Sequence, residues 1–328
     1  MKSEAKDWEE VACDLCGSEQ RAKLFDLEAG RTKVNRSMTV VRCPRCGLVY
    51  LNPRPTQSVI GEYYGPGYYA YSGLESRQHT LRARLRNRFL EGLGGYGTCF
   101  DLWIIRRLAP IGLVDVIIPS ERCGKLLDVG CGDGERAYWY EQRGFEVYGV
   151  EVSEKGAANA SKIGIKVHRG SLSSAGYPDG FFDIVVMAHV LEHTHSPKEY
   201  LDESFRILKP GGMLAVAVPN IDSHSAGVFR ADWAFLMLPI HLYHFSVNTL
   251  TAYLSRSGFC VDSLVGKIVY PRMVRSSCRS MRRHNPFAAI LKAWFWSGVL
   301  PSSFACLKSG VRKCDTITAY CIRPTSSE

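Results

Sequence analysis

No stretch of this 328-residue chain reaches the roughly 20 apolar residues that a membrane-spanning helix needs, which argues against an integral membrane protein. The opening MKSEAKDWEE lacks the apolar core of a secretory signal. Without such a signal, the twelve cysteines read as reduced thiols or metal ligands rather than as a disulfide scaffold, and the expected location is the cytoplasm. Internal repeats and low-complexity tracts are missing as well, so a solenoid or a disordered chain is not expected. Most of the chain also has little net charge. The whole carries +9, but ten basic residues against two acidic ones between 268 and 328 account for eight of those charges. A near-neutral body lacks the distributed positive field that nucleic-acid backbones require, so no nucleic-acid partner is expected. What is present is a 46% apolar composition, enough to bury a core in one large domain or two.

Four regions follow from the pattern. Residues 1–55 hold two Cys-x-x-Cys pairs and end in the proline-punctuated LNPRP. Residues 56–120 mix tyrosines (Tyr63, Tyr64, Tyr68, Tyr69, Tyr71) with a basic helix-like run, LRARLRNRFLEGL. In the third region, from Lys125 to about Pro219, β-type apolar runs alternate with helical patterns, as in repeated βαβ units around a parallel sheet. The strands read as KLLDVG, FEVYGVEV, FFDIVVMAH and MLAVAVP. SPKEYLDESFRILKPGG reads as a helix with Ser196 at the N-cap, Glu199 completing a capping box and a Pro-Gly-Gly stop. In the last region, SVNTLTAYLSRSG is a helix capped by Ser246, leading to the strand FCVDSLV, and DTITAYCI is a final strand.

Cys13-Asp-Leu-Cys16 and Cys43-Pro-Arg-Cys46 are each followed by glycine. Two residues between thiolates allow a tight knuckle that aims both sulfurs at one ion, and two knuckles supply four soft ligands for a tetrahedral zinc. A closed four-thiolate site leaves no open coordination position, so its expected role is structural.

The other distinctive loop is Asp128-Val129-Gly130-Cys131-Gly132-Asp133-Gly134. Glycines at 130 and 132 let the chain turn sharply from strand to helix and let a ligand lie against bare backbone. Glu151 ends the next strand, where a carboxylate can accept the ribose hydroxyls of an adenosine. A dinucleotide fits less well, because Glu135 opens the helix where a pyrophosphate would lie. Asp128 and Asp133 add further acids, and a ligand carrying an ammonium and a sulfonium suits such a loop.

LLDVGCGDG, GVEVS, FFDIVVMAHVLEH and LKPGGMLAVAVPN, in that order, resemble the motifs of class I S-adenosylmethionine-dependent methyltransferases. The CxxCG pairs running into GLVYLNPRP, and the later HLYHFSVNTLTAYLSRSGF, are similar to a bacterial subgroup with an N-terminal zinc-binding segment, often encoded with surface-polysaccharide or sugar biosynthesis enzymes. The resemblance implies a doubly wound, seven-stranded α/β Rossmann-like sheet over 121–328, with a helical insert at about 268–314. It implies that Gly130, Cys131 and Gly132 approach the methionine part of the cofactor and that Asp128 lies beside the same loop. Glu151 would hold the ribose and Val152 would flank the adenine. Ser171 and Leu172 lie where the family often reads the adenine amino group with an aspartate, and Met187 would border the sulfonium. The implied acceptor is a small molecule, sugar-type or lipid-linked, methylated at oxygen or carbon.

Methyl transfer needs a positioned nucleophile and, for a hydroxyl or C–H acid, a base. Histidine suits that task, and His189, His193, His241 and His244 are the candidates. His189-Val-Leu-Glu192-His193 also matches H-x-x-E-H, a zinc-protease pattern, but no glutamate occurs between Glu203 and Glu328 to complete it. Some quinone-pathway O-methyltransferases resemble this region and close a divalent-metal site with the Glu-His pair. Here Ala188 and His189 replace the acidic partners, so a catalytic metal is not expected. His241 and His244, three apart, are expected on one helical face or turn.

Arg272, Arg275, Arg279 and Arg282 would line one face of a helix in the insert, followed by FAAILKAWFWSGVL. A solvated face on a helical lid and a contact of 272–300 with the inner membrane surface are both open readings of this stretch. A catalytically inactive zinc-ribbon and Rossmann scaffold, binding nucleic acid or protein, is the alternative of a different class.

Overall fold

The computed structural model describes residues 7–29, 34, 36–64, 116–118, 122–267, 271–282, 285–287 and 310–325. Tyr68, Tyr69 and Tyr71, the run LRARLRNRFLEGL and FAAILKAWFWSGVL beyond Phe287 lie outside them, as do 268–270, 283–284 and 301–309 of the insert.

In chain order the strands are β1 (Trp8–Glu9), β2 (Ala22–Leu27), β3 (Met38–Arg42), β4 (Val49–Leu51), β5 (Arg54–Pro55), β6 (Lys125–Val129), β7 (Glu146–Glu151), β8 (Lys166–Arg169), β9 (Phe182–Ala188), β10 (Leu208–Pro219), β11 (Tyr243–His244), β12 (Cys260–Lys267) and β13 (Thr316–Ile322). The α-helices are α1 (Glu135–Glu141), α2 (Glu154–Lys162), α3 (Pro197–Ile207), α4 (His224–Phe229), α5 (Val247–Arg256) and α6 (Pro271–Arg282). A seven-stranded sheet has the order β12-β13-β10-β9-β6-β7-β8, the doubly wound α/β arrangement that the motif order implies. The chain divides into two compact units, one comprising 1–65, 189–205 and 216–322, the other 66–188, 206–215 and 323–328.

In the second unit, β6 pairs in parallel with β7 on one side and β9 on the other. Strands covered on both faces must be apolar throughout, and Leu126, Leu127, Ile184, Val185 and Val186 are all fully buried. Ser153 caps α2, its hydroxyl accepting from the Gly156 N–H. Tyr140 of α1 is buried, and its hydroxyl donates to the Val116 carbonyl.

Strand β10 begins five residues before MLAVAVP, inside the Pro-Gly-Gly stop. Gly211 donates its N–H to the Arg323 carbonyl and Arg323 donates back to Gly212, so the stop residues gain ladder partners from the C-terminal end of the chain. That pairing is non-local and leaves no mark on the local sequence.

The first unit contains a four-stranded sheet ordered β11-β4-β3-β2 and a two-stranded ribbon, β1 with β5. PIHLYHF supplies β11, which pairs antiparallel to β4 with Tyr243 opposite Tyr50 and His244 opposite Val49. Of the two expected settings, a helical face or a turn, the helix is absent: His241 closes a turn, its N–H donating to the Met237 carbonyl, and His244 lies in β11. Arg54, nearly buried, ties this unit together by donating to Glu9, the Tyr243 hydroxyl and the His195 carbonyl, each at 2.8 Å. Asp14 accepts from the hydroxyls of Tyr253 and Ser196. The Ser246 cap of α5 holds, but its reciprocal partner is Thr249 rather than an acid.

Candidate functional site

The glycine loop follows β6 in the second unit. Gly130 and Gly132 both have positive φ, 65° and 57°, which glycine adopts without strain. Glu151 at the end of β7 is buried, and its carboxylate clasps the loop. Oε2 accepts from the Gly132 N–H and Oε1 from the Ser153 N–H, both at 2.8 Å. Burial pushes the Glu151 carboxyl upward, and the bonds from Ser153 and Gly132 pull it back toward ionisation. The next side chain, Val152, is 66% exposed, an apolar surface left open beside that acid. Glycine is also needed across from the clasp. A Cβ on Gly156 would lie 3.0 Å from Glu151 Cγ and 3.1 Å from the Gly132 carbonyl oxygen.

Asp128 is wholly buried and does not present a free acid. Arg136 Nε lies 3.0 and 3.1 Å from its two oxygens and Nη2 lies 2.5 Å from Oδ1. Burial raises the Asp128 carboxyl and the Arg136 guanidinium opposes that shift. The pair pins the first turn of α1 to β6, so Asp128 is committed to holding the loop in place. Arg136 was not among the sequence candidates; its place one turn into the helix, eight residues after Asp128, was the available signal. Cys131 is buried against Gly149, where a Cβ would come within 2.8 Å of its sulfur. Burial drives its thiol upward, so it is an inert packing group. Ser171 spends its hydroxyl locally, accepting from the Ser174 N–H and bonding to Ser173. Leu172 and Met187 are buried.

The four histidines collect in the first unit. His189 follows β9 directly, adopts φ of 58°, and donates from Nδ1 to Glu192 Oε1 at 3.2 Å. His193 meets the Ile240 carbonyl through Nδ1 at 3.0 Å, with the Tyr64 hydroxyl also 3.0 Å away. His241 donates from Nδ1 to the Phe235 carbonyl at 2.7 Å. The rings of His193 and His241 stand perpendicular, 4.5 Å apart, and His244 lies 6.4 Å from His241. Burial lowers His193, lowers His241 further, and brings His244 to about 3, so these three imidazoles are neutral near pH 7. His189 keeps 21% of its side chain exposed and is the more accessible member of the group.

The cysteines converge as their spacing implies. Cys13 and Cys46 sulfurs are 3.4 Å apart, those of Cys16 and Cys43 are 3.5 Å apart, and all four lie within 4.8 Å of one another. A tetrahedron with bonds of about 2.3 Å has edges of about 3.8 Å, so a zinc-sized ion fits. Gly17 and Gly47, at positive φ, close the knuckles with N–H bonds to the Cys13 and Cys43 carbonyls. Burial would raise the Cys43 thiol, but N–H groups of Cys46 and Arg45 outweigh it and hold it at about 7.

A family model described as a methyltransferase domain matches residues 102–264. A Mycolicibacterium smegmatis protein named as a probable S-adenosylmethionine-dependent methyltransferase is 29% identical over 151 residues, covering 45% of this chain and 57% of that protein. A ubiquinone biosynthesis O-methyltransferase of Pseudomonas fluorescens is 26% identical over 160 residues, covering 45% of this chain and 69% of its own length. Among solved structures, an S-adenosylmethionine-dependent methyltransferase from Mesorhizobium loti aligns over 63% of this chain and 94% of its own, at 18% identity and a TM-score of 0.44. These relatives do not favour the inactive-scaffold alternative. Residues 102–264 thus resemble a methyltransferase domain, and the relatives that match them are named as methyltransferases.

Proposed function

We propose that the chain transfers the methyl group of S-adenosylmethionine to oxygen or carbon of a small acceptor, sugar-type or lipid-linked, in the cytoplasm. The observation that carries the cofactor assignment is the Glu151 clasp. A buried carboxylate is fixed by the Gly132 and Ser153 N–H groups beside an exposed Val152, where ribose and adenine would be held. Gly130, Cys131 and Gly132 would offer backbone to the methionine end, and Leu172 and Met187 would give the site apolar walls. Bound there, the cofactor supplies an electrophilic methyl carbon and a neutral thioether leaving group. The chain's own contribution is to orient the donor and to take a proton from the acceptor. His189 is the candidate for the second task, being half-buried, hydrogen-bonded to Glu192 and next in the chain after β9.

Cys13, Cys16, Cys43 and Cys46 would hold a zinc ion that cross-links the β1–β2 loop to the β3–β4 turn, a structural role consistent with a closed set of four thiolates. An oxygen acceptor is supported by the O-methyltransferase names of several relatives. No described helix is long and apolar enough to cross a membrane. A peripheral contact through 272–300 belongs to the lipid-linked form of the proposal.

Isothermal titration of the full chain with S-adenosylmethionine tests the reading, followed by a screen of sugar and lipid-linked acceptors for methyl uptake. Saturable heat that Glu151→Ala abolishes supports it. Absence of cofactor binding in the folded wild type refutes it.

A further inference from the structure

Glu192 is 1% exposed, and its only side-chain hydrogen bond among the described residues is from His189 to Oε1. Oε2 is buried and has no hydrogen-bond partner among the described residues. An ionised oxygen removed from water without a partner carries a desolvation cost that structures seldom leave uncompensated. Beside it stand two imidazoles whose Nδ1 atoms are already committed to main-chain carbonyls, His193 to Ile240 and His241 to Phe235. That commitment puts the ring proton on Nδ1 and leaves each Nε2 as a bare lone pair. One ligand atom from each of Glu192, His193 and His241 lies within 4.8 Å of the other two.

We infer that Glu192, His193 and His241 form a binding site for a divalent transition-metal ion, separate from the four-cysteine cluster. Two neutral imidazoles and a carboxylate are a borderline ligand set, suited to zinc, iron(II), cobalt(II) or manganese(II). The carbonyl partners of both Nδ1 atoms are what a metal-bound histidine ordinarily has behind it, because they fix the tautomer and the ring orientation. The ion would also neutralise the bare Glu192 oxygen. The H-x-x-E-H segment has no glutamate between Glu203 and Glu328 to complete it, but the fold brings His241 to serve as the third ligand. This departs from the expectation of no metal here, which rested on Ala188 and His189 and took no account of His241. With three protein ligands the ion keeps positions open for water or an oxygen-bearing ligand.

Equilibrium dialysis of the full chain against Co²⁺, with absorption spectra, tests the site. Cobalt on the cysteines gives a sulfur-to-metal charge-transfer band; cobalt on two histidines and a carboxylate does not. The expected result is a sulfur-free class of bound cobalt in the wild type. His241→Ala and Glu192→Gln should each weaken this class by at least about tenfold while the charge-transfer band, or the zinc already held by the cysteines, is retained. Should His241→Ala lose both classes through misfolding, the near-isosteric Glu192→Gln decides. No sulfur-free cobalt in the wild type, or equal amounts in the wild type and Glu192→Gln, overturns the inference.

Discussion

Replacing Arg136 by alanine should strip the counter-charge from a carboxylate that has no access to water. Asp128 is 0% exposed and, among the described residues, its side-chain hydrogen bonds run to Arg136 alone, in a two-armed arrangement. Breaking a buried pair from one side costs about 3–5 kcal/mol, since the remaining charge is left uncompensated. Arg136 retains 24% exposure, so water entering the vacated space should hold the cost near the lower end, about 3 kcal/mol. For a domain of this size that corresponds to a fall of roughly 6–12 °C in Tm. The pH dependence has a definite sign. Burial already raises the Asp128 carboxyl above its ordinary value, and losing Arg136 removes the opposing influence. The folded variant then takes up a proton more readily, so its deficit is largest near neutrality and shrinks as pH falls into the acid range. Urea unfolding followed by circular dichroism across that range measures both effects. Replacing both partners, Asp128→Leu with Arg136→Met, should recover most of the loss, because no uncompensated charge remains. An Arg136→Ala variant within about 1 kcal/mol of wild type at pH 7 would refute the claim that this pair anchors the loop.

Glu151→Ala should weaken S-adenosylmethionine binding by at least about tenfold, roughly 1.4 kcal/mol, in isothermal titration, with metal content unchanged. Gly156→Ala should also weaken the cofactor, because the added methyl meets Glu151 and the Gly132 carbonyl; its gain in helix propensity, about 0.5–1 kcal/mol, keeps the change in Tm small. Cys43→Ser should lower the zinc measured by mass spectrometry by about one ion per chain and should reduce Tm, whereas Cys260→Ser, on an exposed residue outside the cluster, should do neither. His189→Ala should lower methyl transfer, once an acceptor is found, with cofactor affinity within about twofold of wild type.

The parts legible in the sequence share one property: their chemistry is local. The cysteine knuckles need two residues between thiols and a glycine after them, and the sulfurs meet as that spacing implies. The glycine loop and Glu151 end adjacent strands of a βαβ unit, so their meeting is prescribed by that unit's geometry. Non-local features were not legible. Asp128 has the same place in the motif whether it faces a ligand or an arginine, and only the folded helix shows that Arg136 takes both its oxygens. The spacing of His241 and His244 leaves a helical face and a turn both open until β11 pairs with β4, which a short segment cannot announce. The start of β10 depends on Arg323, more than a hundred residues away.

From its sequence alone, then, this protein has its α/β periodicity, its four-thiolate knuckles and the order of motifs that resemble those of methyltransferases, because each depends on local spacing. Tertiary structure alone decides which buried charges are paired and which are left bare. It neutralises Asp128 with Arg136, leaves an oxygen of Glu192 without a hydrogen bond among the described residues, and carries His241 to its side. The physical reason is that the energy of a buried charge depends on what surrounds it in space, and those neighbours come from parts of the chain that local pattern does not connect.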